Sequence, residues 1–468
     1  MTTEALFNID FTNAAYIVAA ILFILGLKKL GSPATARNGN RLSALAMLVA
    51  VLATVIGNDI ASWEWILGGV IVGSGIGAYS ARKVQMTSMP QLVAVFNGFG
   101  GAASAVVAAA ELIHLINVKA DIAENVSITI MASVIIGSVT LTGSFIAFGK
   151  LQGFIPSRPL LIPIRNVINV ALLIGLVAST VWLVTDPSLT PFLIAAGIAL
   201  ALGILVVVPI GGADMPVVIA LLNSYSGIAG AATGFALGNT ILIIAGSLVG
   251  ASGLILTRIM TKAMNRSLVN VMLGGFGVED STGVGGGGDD DRPVRSIQAE
   301  DAATILGYAQ SVIFVPGYGL AVAQAQHQVR ELADLLKDRG ISVRYAIHPV
   351  AGRMPGHMNV LLAEANVPYD ELKDLDQINS EFQRTDVAVV IGANDVTNPA
   401  ARTDKSSPIY GMPILNVDQA ASVIVMKRSM STGFAGVQNE LFFLDRTMML
   451  FGDAKDSVEK ILAEVKDL

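Results

Sequence analysis

Nine long apolar runs in the first 268 residues restrict what this chain can fold into. Each run approaches or exceeds the roughly 20 residues that an α-helix needs to cross the core of a bilayer. We place them near 13–30, 42–57, 65–81, 89–115, 127–148, 167–185, 190–209, 215–237 and 240–261. Only 22 of the 66 Asp, Glu, Lys and Arg residues lie in this part of the chain. The pattern predicts a multi-pass α-helical membrane bundle over residues 1–268.

The basic residues between the runs fall on one side if all nine runs cross the membrane. That side then receives Lys28, Lys29, Arg37, Arg41, Arg82, Lys83, Lys150, Arg158, Arg165, Arg258, Lys262 and Arg266. The opposite side receives only Lys119. Because basic loops favour the cytoplasm, we expect the N-terminus outside and the rest of the chain, after the ninth run, inside. One helix more or fewer would destroy this segregation.

Small and polar residues recur inside the apolar runs. Glycines spaced by four predict close helix packing in lipid, as at 69–73, 73–77 and 246–250. Asn97, Ser144 and Asn223 lie deep in predicted helices, where an unpaired amide or hydroxyl is unfavourable. Each fits a hydrogen bond between helices, and the three together also fit a hydrated path. Asp214 stands at a helix start, where it could cap the helix.

A glycine-rich segment separates the membrane half from a soluble half. Residues 274–291 carry eight glycines and end in three aspartates, so we predict a flexible linker over 269–292. The following domain, 293–468, alternates predicted helices with short β-branched strands. The helices are 298–308, 321–339, 358–366 and 457–465, and the strands are 311–315, 342–347, 386–391, 413–416, 422–426 and 448–451. Such alternation predicts a soluble α/β Rossmann-like domain with a doubly wound parallel sheet, which binds ligands at the carboxyl ends of its strands.

A glycine turn follows the first of these strands. Gly317, Tyr318 and Gly319 open the pattern G-x-G-x-x-V, which ends at Val322 instead of the usual Gly or Ala. In a dinucleotide site the first glycine allows a tight turn and the second lets the backbone approach a pyrophosphate. A purely structural turn remains the alternative at this point.

Charged and polar residues also stand at later strand ends. No carboxylate for a ribose 2′-hydroxyl follows the second strand, whereas Lys427, Arg428 and Ser429 follow the fifth and could hold a 2′-phosphate. A solvated strand end is equally consistent with the two cations. Between them, the segment Gly392-Ala393-Asn394-Asp395 offers a close-approach glycine and one carboxylate, which could also close an Asx turn.

Taken together, these stretches resemble the beta subunit of proton-translocating NAD(P) transhydrogenase. The resemblance rests on segments in both halves: 211–218, 222–227, 316–319, 348–359, 392–395 and 427–429. It implies that the chain binds NADP(H), that a partner alpha subunit binds NAD(H) for direct hydride transfer, and that inward proton movement is coupled to the reaction. It also implies further transmembrane helices on the partner, a dimeric whole assembly and a place in the cell inner membrane with the soluble domain in the cytoplasm.

The resemblance also assigns residues. It implies nucleotide contacts at Gly317, Tyr318, Gly319, Val322, Arg353, Gly392, Asn394, Asp395, Lys427, Arg428 and Ser429, with Arg353 on the pyrophosphate side and Asp395 linked to proton coupling. Its proton path is implied at Asn97, Ser144, Asn223 and Asp214.

Two positions depart from the family pattern. Many relatives have His where this chain has Asn97, and an amide does not carry a proton near neutral pH. Relatives often have Tyr at Phe434, so the lid that includes it would lose one hydroxyl bond. The competing interpretation is a channel or transporter with a nucleotide-sensing domain, which would bind nucleotide without hydride transfer.

Composition excludes several other classes. The chain has no cysteine, so it has no disulfide or thiol chemistry, and its four scattered histidines argue against a metal site. A net charge of −6 without a long basic run argues against nucleic acid as a partner.

Overall fold

In the computed structural model the chain divides into two compact units, one of long helices and one built on a sheet. The structure describes residues 3–57, 63–120, 122–156, 159–160, 164–265, 267–273, 292–433 and 435–468. The glycine-rich segment 274–291, Phe434, Arg158 and Arg266 lie outside the described residues. The predictions made for them stay predictions.

The helical unit contains a helix at each of the nine predicted runs. They are α1 (Thr3–Leu30), α2 (Pro33–Gly57), α3 (Trp63–Lys83), α4 (Met89–Asn117), α5 (Glu124–Gln152), α6 (Arg165–Thr185), α7 (Leu189–Val207), α8 (Met215–Ala236) and α9 (Thr240–Ala263). Among the residues that the structure describes, eight of these helices are long and apolar enough to cross a membrane. The exception is α3, whose five glycines and charged ends lower its mean hydropathy. A short helix, α10 (Leu268–Leu273), begins at the start of the predicted linker.

Glycines bring some of these helices into close contact. A Cβ on Gly101 of α4 would lie 2.7 Å from the carbonyl oxygen of Gly137 on α5, and one on Gly246 of α9 would lie 2.5 Å from the backbone nitrogen of Ala231 on α8. The prediction of close packing is therefore confirmed at 246–250. It is wrong for 69–77 within this chain, because a Cβ on any of the α3 glycines meets no described atom within 4 Å.

The second unit is built on a six-stranded parallel sheet. Its strands are β1 (Ser311–Pro316), β2 (Ser342–Ile347), β3 (Leu372–Asp374), β4 (Val387–Ile391), β5 (Ser422–Lys427) and β6 (Thr447–Phe451), in the order β3-β2-β1-β4-β5-β6. Its helices are α11 (Ala299–Gly307), α12 (Tyr318–Ala323), α13 (Gln326–Asp338), α14 (His357–Glu364), α15 (Leu375–Ile378), α16 (Ala400–Thr403) and α17 (Ala454–Asp467). The order is that of a Rossmann-like doubly wound sheet, which confirms the predicted fold class.

The sheet is stabilised by burial on both faces. The strands β1, β4 and β5 are almost fully buried, and their side chains pack in one apolar cluster with residues such as Phe382 and Phe442. Continuous apolar strands of this kind are expected where helices cover both faces of a parallel sheet. The core therefore fixes the strand ends, where the polar loops begin.

Two predicted elements are wrong. The predicted helix 321–339 is divided into α12 and α13, because Gln324 adopts a left-handed conformation at φ 51°. The predicted strand 413–416 is an irregular segment. Its Leu415 N–H donates to the carbonyl of Val396, and its Asn416 N–H donates to the Asn379 side chain. Leu415 packs against the side chains of the sheet without joining it as a strand, and Ile414 packs in a separate cluster with residues such as Ala400 and Ile409.

Candidate functional site

The register of the sheet brings three of the predicted strand ends side by side. Pro316 of β1 pairs with Ile391 of β4, and Ile391 pairs with Met426 of β5. The residues that follow, Gly317, Gly392 and Lys427, therefore share one level at the carboxyl edge. Strands are added on one side of β1 up to β3 and on its other side from β4 onwards, so the strand order reverses between β1 and β4. Open α/β sheets bind their ligands at such a switch point.

The glycine turn after β1 lies against the loop after β4. Gly317 N–H donates to the Ile391 carbonyl over 2.9 Å, and Gly319 N–H donates to the Gly392 carbonyl over 3.0 Å. A Cβ on Gly317 would collide with the backbone of Ala393, and one on Gly319 would lie 2.7 Å from the Gly392 Cα atom. Both glycines are therefore required for the close approach of two backbone segments. The two glycines therefore have a structural reason to be at these positions, and the pattern is not a chance occurrence of glycine.

The sixth place of the pattern behaves differently from the expectation. Val322 is 44% exposed, whereas its neighbours Leu320 and Ala321 are fully buried. The close packing of helix on strand that usually needs a small residue at this place is thus made by residues earlier in α12. A valine is tolerated because its side chain points away from the sheet.

Arg353 lies in the loop between β2 and α14 and contacts the glycine turn. Its guanidinium carbon lies 4.3 Å from the centre of the Tyr318 ring, a cation–π distance. Burial raises the pKa of the Tyr318 hydroxyl, and the positive charge of Arg353 partly opposes this. Tyr318 therefore stays neutral and supports the cation beside the turn.

The two cations after β5 have different environments. Lys427 is half-buried, donates from Nζ to the Ser431 carbonyl, and lies 5.3 Å from the centre of the Phe442 ring. Burial lowers the pKa of Lys427, while the negative charge of Asp395 acts in the opposite direction. Arg428 and Ser429 are exposed. The segment thus offers one fixed and one exposed cation next to a hydroxyl.

Asp395 contacts the segment that follows these cations. Its Oδ2 accepts a hydrogen bond from the Ala435 N–H over 3.0 Å, and a Cβ on Gly433 would lie 2.7 Å from the Asp395 Cγ atom. The N–H of Thr397, which an Asx turn would use, donates instead to the Asn394 carbonyl. The carboxylate therefore connects the β4 loop to Gly433 and Ala435, about forty residues further along the chain. Asn394 is held by the Asn439 side chain at 3.0 Å.

Polar residues inside the helical unit form a buried cluster on three helices. Asn97 of α4 donates from Nδ2 to Ser144 Oγ of α5 over 3.0 Å, and Ser226 Oγ of α8 donates to Asn97 Oδ1 over 2.7 Å. Asn223 lies one turn before Ser226 on α8 and is half-buried, and no hydrogen bond of its side chain is found among the described residues. Sequence reasoning missed Ser226, although its spacing of three from Asn223 placed both on one helix face.

The structure places Asp214 at the entrance to α8 without the capping role that the sequence suggested. Asp214 is 7% exposed and ends the 3₁₀ turn Gly212–Asp214, and its side chain makes no cap hydrogen bond. Lys150, which was predicted as a loop cation, lies in the last turn of α5 and is 1% exposed. Its Nζ donates to the Ile210 carbonyl over 2.8 Å, at the break between α7 and α8.

Comparison with known proteins points to one family. The family model described as NAD(P) transhydrogenase beta subunit matches residues 12–464. The chain is similar to an NAD(P) transhydrogenase subunit beta from Rhodospirillum rubrum, with 54% identity over 455 residues that cover 96% of this chain and 98% of the relative. A second relative of the same name, from a defined strain of that species, matches with the same identity and coverage.

Proposed function

The chain belongs to the NAD(P) transhydrogenase beta subunit family, and on that premise we propose that its sheet domain binds NADP(H) at the carboxyl edge of β1, β4 and β5. The general role of this family is proton-coupled hydride transfer between NAD(H) and NADP(H). The observation that carries the proposal is the shared level of Gly317, Gly392 and Lys427. It joins a backbone turn suited to a pyrophosphate with a cation suited to a further phosphate.

The residues at this edge fit the nucleotide that we assign to them. Phosphate oxygens prefer charge-assisted hydrogen bonds from Lys and Arg and bonds from hydroxyls. We assign Lys427, Arg428 and Ser429 to the 2′-phosphate of NADP(H) and Arg353 to the pyrophosphate. Gly317, Tyr318, Gly319, Val322, Gly392 and Asn394 would supply the remaining contacts. Selection of NADP(H) over NAD(H) then depends on the cations after β5.

The chemistry is a direct exchange between two nicotinamides. A hydride leaves C4 of NADH, which becomes NAD⁺, and forms a C–H bond at C4 of NADP⁺, which becomes NADPH. No general acid is required for this step. The partner alpha subunit would hold NAD(H), and this chain would hold NADP(H) and exclude water around the ring.

Asp395 suits a coupling role better than a catalytic one. Its carboxylate holds the backbone of Ala435 and lies against Gly433, so protonation would weaken the hydrogen bond that connects it to this segment. A carboxylate beside a ring whose charge changes on reduction also has a redox-dependent affinity for protons. Proton uptake and nucleotide release would be linked through Gly433 and Ala435.

The proton path is proposed along the α4, α5 and α8 cluster. Asn97, Ser144 and Ser226 are joined by hydrogen bonds, Asn223 lies one turn away, and Asp214 is buried at the start of α8. None of the three joined side chains titrates usefully. A histidine or carboxylate on a transmembrane helix of the partner would supply the titratable group and pack against Asn97.

Orientation and assembly follow the same proposal. The segregation of basic loops supports a sheet domain in the cytoplasm if α3 crosses the inner membrane together with the eight helices that qualify. The 269–292 segment would tether the domain. We also propose that the whole assembly, this chain with its alpha partner, is a dimer.

Coupled turnover tests the function. The chain, purified with its alpha partner and placed in liposomes, should reduce an NADP⁺ analogue with NADH and take up protons on one side in proportion. Dissipating the proton gradient should change the rate. Nucleotide binding without any hydride transfer would contradict the proposal and favour a channel or transporter with a nucleotide-sensing domain.

A further inference from the structure

The loop that carries Arg353 is held in an unusual conformation. It runs from His348, after β2, to Gly356, before α14, and its glycines Gly352 and Gly356 have φ angles of 106° and 67°. These values lie in the left-handed region that favours glycine. A loop of this kind needs fixed contacts if it is to present Arg353 in one position.

The imidazole of His357 supplies such a contact. Its Nδ1 accepts a hydrogen bond from the backbone N–H of Arg353 over 3.0 Å, and the residue is completely buried. A Cβ on Gly352 would lie 2.5 Å from this Nδ1 atom and 2.7 Å from the His357 Cβ atom. Glycine at 352 is therefore required both by the φ angle and by the space that the ring occupies.

The protonation state agrees with this contact. Burial, and to a smaller extent the positive charge of Arg353, lower the pKa of His357 to about 4. The ring is thus neutral near pH 7, and because Nδ1 accepts the hydrogen bond from Arg353, the ring hydrogen resides on Nε2. The buried Nε2 has no hydrogen-bond partner among the described residues. A buried donor without a partner destabilises the fold, so an apolar residue would serve the core better than histidine.

We propose that His357 is a positioning residue for nucleotide binding, whose Nδ1 holds the backbone of Arg353 so that the guanidinium lies over Tyr318 and faces the pyrophosphate. The inference rests on the proposed function, because it requires NADP(H) at this edge. His357 touches the nucleotide only through Arg353. Its effect is therefore shared by NADP(H) and NAD(H), which both contain a pyrophosphate, unlike the effect of Lys427.

Three substitutions of His357 distinguish the role of Nδ1 from that of Nε2. The Oδ1 atom of His357→Asn can replace Nδ1 as an acceptor, the amide of His357→Gln reaches the position of Nε2, and His357→Leu replaces neither. Titration calorimetry of the full chain in detergent should give His357→Asn an NADP⁺ affinity within about threefold of the wild type. His357→Gln and His357→Leu should both bind about tenfold more weakly, with an unchanged ratio of NADP⁺ to NAD⁺ affinity. Retention by Gln together with loss in Asn would overturn the proposal.

A double-mutant cycle separates positioning from general damage to the fold. In an Arg353→Ala background, His357→Leu should cause no further loss of NADP⁺ affinity, because the group that it positions is absent. Additive losses would overturn the inference. A wild-type chain that binds no NADP⁺ would instead contradict the proposed function itself. Thermal unfolding of each variant identifies any that fail to fold, and if His357→Leu is one of them, His357→Gln replaces it in the cycle.

Discussion

At the scale of single residues, Lys427 differs most from an ordinary surface cation. Its ammonium group is half-buried, bonded to the Ser431 carbonyl and close to the ring of Phe442. Burial lowers its pKa, so the charge is less stable without a counter-charge nearby than it is in water. A phosphate dianion at this position would stabilise the charged form of Lys427. In the absence of nucleotide, the negative charge of Asp395 supplies part of that stabilisation.

Replacing Lys427 with Ala should weaken NADP(H) binding by roughly 1.5–3 kcal/mol, as expected for the loss of a hydrogen bond to a charged group. NAD(H) lacks the 2′-phosphate, so its affinity should hardly change. Calorimetric titration with both nucleotides measures the difference. Lys460→Ala, an exposed lysine on α17, is the matched control. Equal losses for the two nucleotides would contradict the assignment of Lys427.

Replacing Asp395 with Asn should flatten the pH dependence of NADP(H) release. The amide keeps an oxygen that can accept the Ala435 N–H bond but cannot take up a proton, so the link between protonation and residues 433–435 is removed. Stopped-flow release measured from pH 5 to 9 provides the profile. Asp370→Asn, at an exposed position, should leave it unchanged. An unaltered profile in Asp395→Asn would place the coupling elsewhere.

The sequence predicted which residues have a chemistry suited to phosphate, but it did not predict the contacts that support them. The glycine turn and the three residues at 427–429 follow from strand ends and local spacing. The contacts made by Ser226, Ala435 and His357 were not predicted from the sequence. Each joins a predicted site residue through a fold contact that the spacing of residues along the chain does not reveal. Such contacts depend on how helices and loops meet, which periodicity does not specify.

At the scale of elements, apolar periodicity predicted the long segments well and the short ones poorly. All nine long helices and five of the six strands lie where the pattern placed them. The three-residue β3, Leu372–Asp374, is too short and too polar to give an alternating signal. The segment 413–416 has the apolar character of a strand, yet Ile414 and Leu415 are buried without joining the sheet.

The irregular segment also anchors the loop after β2. His348 is buried and neutral, its Nε2 donates to the Pro413 carbonyl over 2.8 Å, and its Nδ1 accepts the Val350 N–H over 3.3 Å. Burial lowers its pKa to about 4, although the Pro413 bond acts in the opposite direction. This loop and the 413–416 segment are thus joined by one side chain that must stay unprotonated.

The stability of the sheet domain should therefore fall as the pH decreases from about 6.5 towards about 4. In that window the unfolded chain binds a proton at His348 that the folded chain does not, so acid favours unfolding by up to about 3 kcal/mol. Calorimetry of the full chain at a series of pH values measures the slope. His348→Gln, which keeps a donor for Pro413, should reduce it, and the exposed His327→Gln should not. An identical slope in His348→Gln would disprove the linkage.

At the scale of the whole molecule, the division into a helical and a sheet unit follows from the uneven distribution of charge. The number of membrane crossings follows less directly, because α3 has the length of a span but a lower mean hydropathy than the other eight. The most informative feature is what the α4, α5 and α8 cluster contains. It joins an amide and two hydroxyls in the bundle, groups that order water but do not carry a proton.

We propose that the proton-carrying group beside Asn97 comes from outside this chain. If a titratable side chain of the partner packs against Asn97, the chain alone in liposomes should conduct no coupled protons. Asn97→Leu in the full complex should impair coupled turnover by removing the two hydrogen bonds of the Asn97 side chain, while NADP(H) binding stays intact.

Asn117→Leu, an exposed position at the end of the same helix, is the matched control for hydropathy. Proton uptake and hydride transfer measured together in liposomes distinguish the two variants, because general damage to α4 would lower nucleotide binding or assembly in both. Full proton-coupled activity in Asn97→Leu would show that the path does not pass through this cluster. Loss of coupling with intact binding would place the proton switch where α4, α5 and α8 meet the partner.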